Sequence, residues 1–367
     1  MTSLYVHIPF CHNKCYFCSF VIAVGKEHHV DSYLDCIEKE AGFYHREQLK
    51  TVYVGGGTPS LINGSQLTRL VGIIKEKFFL LPGCEFVLEA NPATFDYSKA
   101  ELIHDLGINR LSLGVQSLND QYLKFLGRPH NAADARSAFE ILRKVGFTNI
   151  NLDLMYSFPG QTKQEIEEDA RGIVGFGSEH LSLYTLTIEK GSRFFKKNFA
   201  WQDGFSQGEQ YVLIVDTLES LGVCQYEISN FAKTGKESEH NMVYWRGGNY
   251  IGLGVGAHSH WNGKRYWNTS NLMEYIHKLQ ENQKPIEGQE TLTPRQRFKE
   301  TLLFNLRMNA GADVSALEKR FECALFAEDH EMLQGFVADG FLKREGSVLK
   351  TTAAGRLVLD ELSARLI

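Results

Sequence analysis

The chain has 367 residues and a formal net charge of −5, with 43% hydrophobic and 23% charged residues. That composition is ordinary for a globular protein, and the length suits one large domain with one or two smaller pieces. The acidic balance leaves no bulk electrostatic footprint for nucleic acid or an anionic membrane surface. No stretch approaches the roughly 18 uninterrupted apolar residues of a membrane span. The opening MTSLYVHIPF has neither the basic segment nor the cleavage tripeptide of a secretory signal, so a cytoplasmic location is expected.

From the start to about residue 186, short apolar runs alternate with amphipathic stretches. The runs are Leu4–Ile8, Val52–Val54, Phe86–Leu88, Leu111–Val115, Ile150–Leu154 and Leu181–Leu186. Helical periodicity falls around 28–48, 65–78, 97–106, 132–145 and 163–175. This alternation predicts repeated βαβ units and a parallel sheet, with open and barrel-like closures both compatible. Polar residues gather where the strands end, at Gly55–Thr58, Glu89, Gln116 and Asp153. Parallel α/β folds place ligands there.

A region from about 207 to 285 begins with a helix to Leu221 and then turns rich in aromatics, glycine and histidine: YEISNFA, HNMVYW and GLGVGAHSHW. The run Gly252-Leu-Gly254-Val-Gly256 lacks the third glycine spacing of a dinucleotide fingerprint and reads as tight packing. Helical stretches at 293–308, 313–321 and 325–338 then precede a hairpin, Phe341–Lys343 with Val348–Lys350, and a last helix from near Thr352. Helices followed by a small hairpin resemble a winged-helix module, here expected to be a structural cap with no nucleic-acid partner. The resulting division is 1–205, the alternating strand-and-helix core; 206–288, a connecting region with the HNMVYW segment; and 289–367, a mainly helical C-terminal domain.

Seven cysteines do not form a disulfide framework in a chain of this length. Cys36, Cys84, Cys224 and Cys323 are scattered and read as small buried hydrophobes. Cys11, Cys15 and Cys18 crowd into one loop with the spacing C-x3-C-x2-C. Three thiolates on a short loop can hold three irons of a cubane and leave the fourth open. An open iron can take the amino and carboxylate groups of S-adenosylmethionine (SAM), whose sulfonium an electron from the cluster cleaves. Zinc is the rival reading, but zinc sites usually come as paired C-x2-C units, and no second pair is present.

YVHIPFCHNKCYFCSF, GGGTPS, LEANP, RLSLGVQS, LGRPH, DLMYSFPGQT and YEISNF follow one another in this order. Together they closely resemble the oxygen-independent coproporphyrinogen III oxidase family of radical SAM proteins, over nearly the whole chain. The resemblance implies an α/β fold: a partial, TIM-like (β/α)6 radical SAM barrel with the cluster at its mouth, and a mainly helical, winged-helix-like C-terminal domain. It implies Cys11, Cys15 and Cys18 as ligands of a [4Fe–4S] cluster. Tyr5, Phe17, Gly56, Gly57, Thr58 and Glu89 are implied as SAM contacts, and Gln116, Arg128 and Asp153 match positions that bind a second SAM in the oxidase.

Three departures separate the chain from the oxidase itself. Phe20 stands where the oxidase carries a further cysteine, only four residues precede Tyr5, and His240-Asn241-Met242-Val243-Tyr244-Trp245 matches the HNxxYW motif of a haem-chaperone relative. A neutral histidine is a suitable axial ligand and neighbouring aromatics can cover a porphyrin, so His240 is the candidate haem ligand, with His258 and His260 behind it. The favoured reading is a haem carrier that delivers to an apoprotein, respiratory and membrane-associated by the resemblance. The alternative is oxidative decarboxylation of coproporphyrinogen III, the porphyrinogen substrate. Either reading needs an electron donor to the cluster if SAM is cleaved, and a homodimer is compatible with both.

Overall fold

A computed structural model of the chain describes residues 2–44, 46–197, 206–325 and 327–366. The six expected strands are present: β1 (Thr2–Ile8), β2 (Gln48–Gly56), β3 (Phe79–Ala90), β4 (Arg110–Gln116), β5 (Ile150–Tyr156) and β6 (His180–Thr185). They lie side by side in chain order, each pair parallel. The crossovers are α1 (Val30–Ala41), α2 (Gly64–Lys77), α3 (Tyr97–Asp105), α4 (Asp120–Leu126), α5 (Ala132–Val145) and α6 (Lys163–Val174). Capping boxes start three of them: Asn63 with Gln66, Asn131 with Asp134, and Thr162 with Glu165. Strands β1, β4 and β5 are buried on both faces, as a parallel sheet covered by helices requires. Six parallel strands joined by helical crossovers agree with the expected α/β, partial-barrel core.

The stretch after residue 206 builds onto both edges of the same sheet. Helix α7 (Gln207–Ser220) leads to β7 (Cys224–Glu227) and β8 (Asn230–Ala232), and β8 pairs antiparallel with β6. Helix α8 (Glu239–Trp245) is followed by β9 (Asn249–Leu253), which pairs parallel with β1. Strands β10 (His258–Trp261), β11 (Lys264–Asn268) and β12 (Ile286–Thr291) extend that edge antiparallel. Among the described residues the result is an open, mixed sheet of twelve strands. The glycine run makes the β9 edge possible. A Cβ on Gly252 would lie 2.1 Å from the His258 carbonyl oxygen, and Gly254 has φ +103° with a Cβ position 2.4 Å from the Tyr33 hydroxyl.

The C-terminal part has its own core, with Phe298, Leu302, Leu306, Leu317, Leu333 and Phe336 at its centre. Its elements are α10 (Pro294–Leu306), β13 (Ala312–Asp313), α11 (Val314–Phe321), α12 (Ala327–Ala338), β14 (Leu342–Glu345), β15 (Val348–Thr351), α13 (Ala353–Leu357) and α14 (Leu359–Leu366). The strands order β13-β15-β14, so the hairpin and its helices are winged-helix-like, as expected. Among the described residues no helix is long and apolar enough to cross a membrane. Of the scattered cysteines, Cys36 is buried, but Cys224 is exposed and Cys84 and Cys323 are half-buried. The expectation fails at Cys224 because it opens an edge strand.

Candidate metal centre

Chain direction puts the C-terminal ends of the parallel strands on one rim, and the cysteine loop leaves β1 there. Phe10–Cys11 pairs with Ala23–Val24, closing the loop on itself, and the Ala23 amide donates to the Pro9 carbonyl at 2.8 Å. The other side of the loop is tied to the end of α4. The Tyr16 amide reaches the Leu126 carbonyl at 2.9 Å, and the Asn13 side chain donates to the Gly127 carbonyl at 3.1 Å. Tyr16 and Phe17 pack beside Leu126, Met155, Phe158 and Phe194.

The glycine turn after β2 supports the loop from beneath. The Gly57 amide donates to the Ile8 carbonyl at 2.8 Å and the Thr58 amide to the Phe10 carbonyl at 3.0 Å. A Cβ on Gly57 would sit 2.7 Å from the Pro9 carbonyl oxygen, so only glycine lets the two backbones approach this closely. His7 locks the same region. Its Nε2 meets the Val21 carbonyl at 2.8 Å and must carry the proton, leaving Nδ1 to accept from the Tyr5 hydroxyl at 3.0 Å.

Two of the three thiols join a polar ring that spans three strand ends. The Thr58 hydroxyl lies 3.5 Å from Cys11 Sγ, and Asn91 Nδ2 donates to Thr58 Oγ1 at 3.0 Å. Arg128 Nη2 donates to Asn91 Oδ1 and to the Gly114 carbonyl at 2.8 Å, while Nη1 lies 3.6 Å from Cys15 Sγ. Gly114 makes the room, since a Cβ there would be 2.8 Å from Asn91 Oδ1 and 3.1 Å from Gln116 Nε2. Burial pushes the Cys11 thiol up to about 11 against the pull of Thr58 and Arg128. Burial likewise raises Cys18, against its bond from the Phe20 amide and the nearby charges of Lys14 and Arg128.

Beside this ring, the Glu89 carboxylate accepts from the Tyr53 hydroxyl at 2.7 Å and from the Gly56 amide at 2.9 Å. Desolvation raises its pKa to about 7, outweighing the Tyr53 bond, with Asp153 adding to the rise. Asp153 accepts from Asn151 at 2.8 Å and Ser112 at 3.3 Å, and desolvation raises it to about 6. Gln116 has φ +71°, just past a bulge between Gly114 and Gln116 that aims its side chain back over Gly114. A non-glycine residue in the left-handed region costs of order 1–3 kcal/mol and marks a position set by its surroundings. Tyr5, Gly56, Gly57, Thr58, Glu89, Gln116, Arg128 and Asp153 therefore share one polar face beside the cysteine loop.

His240 lies elsewhere. It opens α8 beside Thr51 and Ser3, at the strands' N-terminal ends, about 16 Å of strand from Gly56 at ~3.3 Å per residue. It is 1% exposed. The Thr51 hydroxyl donates to Ser3 at 2.7 Å, so His240 Nδ1 donates to Thr51 at 2.7 Å and Nε2 accepts from the Tyr244 hydroxyl at 2.8 Å. The Glu85 carboxylate accepts the His240 amide at 2.9 Å. Burial lowers the ring's pKa to about 3. Against the expectation of a haem ligand, both ring nitrogens are committed inside the chain and the ring packs on Tyr53, 5.1 Å between centroids. His258 is exposed and stacked on Trp267. His260 bonds the Gly248 carbonyl through Nδ1 at 3.1 Å, and its buried Nε2 has no hydrogen-bond partner among the described residues.

Sequence reasoning missed Asn91, Tyr53 and His7. Asn91 stands within the quoted LEANP, one residue past the end of β3; a side-chain amide at a strand end was the available signal.

A parallel strand-and-helix core with a three-cysteine loop on its C-terminal rim is the architecture to which the Radical SAM superfamily model matches, over residues 5–173, and the HemN C-terminal domain model matches residues 292–358. The solved coproporphyrinogen III oxidase (HemN) from Escherichia coli shares the fold, with a TM-score of 0.86 and 24% identity over 100% of this chain and 89% of the oxidase. Heme chaperone HemW of Bacillus subtilis (strain 168) is 33% identical over 99% of this chain and 98% of its own length. Heme chaperone HemW of Lactococcus lactis (strain IL1403) is 34% identical over 88% of this chain and 86% of its own. The chain belongs to the HemW family of the radical SAM superfamily.

Proposed function

We propose that this chain is a haem chaperone that holds a [4Fe–4S] cluster on Cys11, Cys15 and Cys18, binds SAM beside it, and passes haem to haem-dependent apoproteins. The observation that carries the reading is the 33% identity to a curated haem chaperone along essentially both full lengths. The local chemistry supports the cofactors. Three thiols on one loop, with no second C-x2-C pair in the sequence, suit a cluster better than zinc. The donors around the thiols, Thr58, Arg128 and Lys14, all favour sulfur as thiolate.

When bound, such a cluster supplies an open iron for the amino and carboxylate groups of SAM and a low-potential electron from an external donor. The chain's own part is positional. The turn Gly56–Thr58 offers a close backbone approach, Glu89 offers a carboxylate for ribose hydroxyls, and Gln116, Arg128 and Asp153 supply an amide, a cation and a second carboxylate on the same face. His240 has a structural part, holding α8 against β1 and β2. The protein works in the cytoplasm in this reading, and meets membrane-bound respiratory acceptors from the inner face.

An anaerobic haem titration followed by the Soret band tests the proposal. Saturable one-to-one binding is expected; a linear rise without saturation would overturn it. Cys15→Ala should lose iron and sulfide after reconstitution, and full retention of both would refute the ligand assignment.

A further inference from the structure

Asn91 stands between Thr58 and Arg128, and its amide passes the donor direction of Arg128 on to Thr58. Arg128 has only donors, so the Asn91 atom facing Nη2 is the carbonyl oxygen Oδ1. The amide nitrogen then faces Thr58 and donates to Oγ1 at 3.0 Å. With that lone pair taken, the Thr58 hydroxyl proton points away from Asn91, and Cys11 Sγ at 3.5 Å is there to receive it. The same amide oxygen, with the Gly114 carbonyl at 2.8 Å, holds the guanidinium whose Nη1 reaches Cys15 Sγ at 3.6 Å. The close fit at Gly114, where a Cβ would be 2.8 Å from Asn91 Oδ1, keeps the amide in place.

From this chain of donors we propose that Asn91 is a positioning residue that orients one hydroxyl donor onto Cys11 and one cationic donor onto Cys15, and so sets the reduction potential of the group those sulfurs hold. The inference rests on the reading of the cysteines as cluster ligands. Hydrogen bonds to ligand sulfurs stabilise the more negative, reduced state and raise the potential. Asn91→Asp is nearly isosteric, but its carboxylate accepts where the amide donated. The Thr58 hydroxyl would turn to it and leave Cys11.

The experiment is a potentiometric titration of the reconstituted full-length protein, with iron and sulfide assayed in each variant. Thr58→Val should lower the reduced-to-oxidised ratio at fixed potential about tenfold, which is about 59 mV for a one-electron couple. Thr58→Ser, which keeps the hydroxyl, should restore the wild-type value. In the Asn91→Asp background, Thr58→Val should change the ratio less than twofold, because the hydroxyl has already left the sulfur. An equal Thr58→Val effect in both backgrounds would overturn the role of Asn91. If Asn91→Asp does not fold, the Thr58→Val and Thr58→Ser pair still decides the sulfur contact: equal potentials at full iron content overturn the proposal. Wild-type protein that takes up no iron or sulfide would instead remove the cluster reading, and the proposal with it.

Discussion

Gly57→Ala should loosen the cysteine loop, whereas the same change at Gly72 should stabilise the fold. At Gly57 the new Cβ would stand 2.7 Å from the Pro9 carbonyl oxygen and 2.8 Å from that of Phe10, where ordinary contact begins at 3.4 Å. The neighbours are backbone, so the strand end and the loop must separate by roughly 0.7 Å, and overpacking of that kind costs about 1–3 kcal/mol. The separation also stretches the Gly57–Ile8 and Thr58–Phe10 bonds, each worth about 0.5–1.5 kcal/mol net, and draws Thr58 from Cys11. A loss of about 2–4 kcal/mol is expected. Gly72 is exposed on α2 and has nothing within 4 Å of its Cβ position, so alanine there should add about 0.5–1 kcal/mol through helix propensity and a less free unfolded chain. Urea unfolding of both variants, with iron and sulfide assayed after reconstitution, reads the difference. A Gly57→Ala protein as stable as wild type and fully loaded would refute the close-approach argument.

Arg110 is 2% exposed and lies 3.5 Å from the Glu85 carboxylate, with 3.1 Å bonds to Asn149 and the Lys236 carbonyl. Arg110→Met should cost about 3–5 kcal/mol by leaving Glu85 without its cation, and a loss under about 1 kcal/mol in urea unfolding would contradict this. Glu40 is 1% exposed, and burial raises it from 4.5 to about 7 despite bonds from Tyr275, the Gly254 amide and Asn268. The folded chain therefore holds that proton more tightly than the unfolded chain, so its contribution to stability falls as pH rises from about 4.5 to about 7, by about 3 kcal/mol. The neighbouring Tyr33, Tyr44, Tyr275 and Cys36 are all pushed upward, to about 11 for Cys36, and stay neutral in that window. Glu40→Gln should flatten this slope between pH 5 and 8, and parallel profiles would refute the assignment. His240→Ala should cost about 2–4 kcal/mol of stability through two lost buried bonds and a cavity, yet leave the Soret titration unchanged. Loss of haem binding in a variant that remains folded would restore His240 as a ligand.

The parallel core was legible because each strand carries an unbroken apolar run, and β1, β4 and β5 are buried on both faces. Boundaries were less so: β2 begins at Gln48 and β3 at Phe79, where polar residues and the Pro82-Gly83 pair break the run that marks each strand's buried end. Strand β9 could not be placed from its sequence, since what sets it beside β1 is the close fit of Gly252 and Gly254, a matter of contacts far apart in the chain. In the site, the cysteines announce themselves by spacing and the strand-end residues by position. Asn91 does not, because its importance lies in which atoms donate and which accept, and only the geometry of Thr58 and Arg128 shows that. His240 drew attention through the HNxxYW match, and a histidine among aromatics by itself is a pattern that a fully bonded structural histidine shares with a ligand.

One experiment weighs the haem-chaperone account against the oxidase activity of the fold's other relative. The reconstituted protein is loaded with one equivalent of haem and mixed anaerobically with a haem-free acceptor apoprotein. A parallel sample receives coproporphyrinogen III, SAM and a reductant. The account expects the Soret band to move to that of the acceptor complex while the porphyrinogen releases no carbon dioxide. Release of carbon dioxide with formation of protoporphyrinogen, and no haem reaching the acceptor, would contradict it.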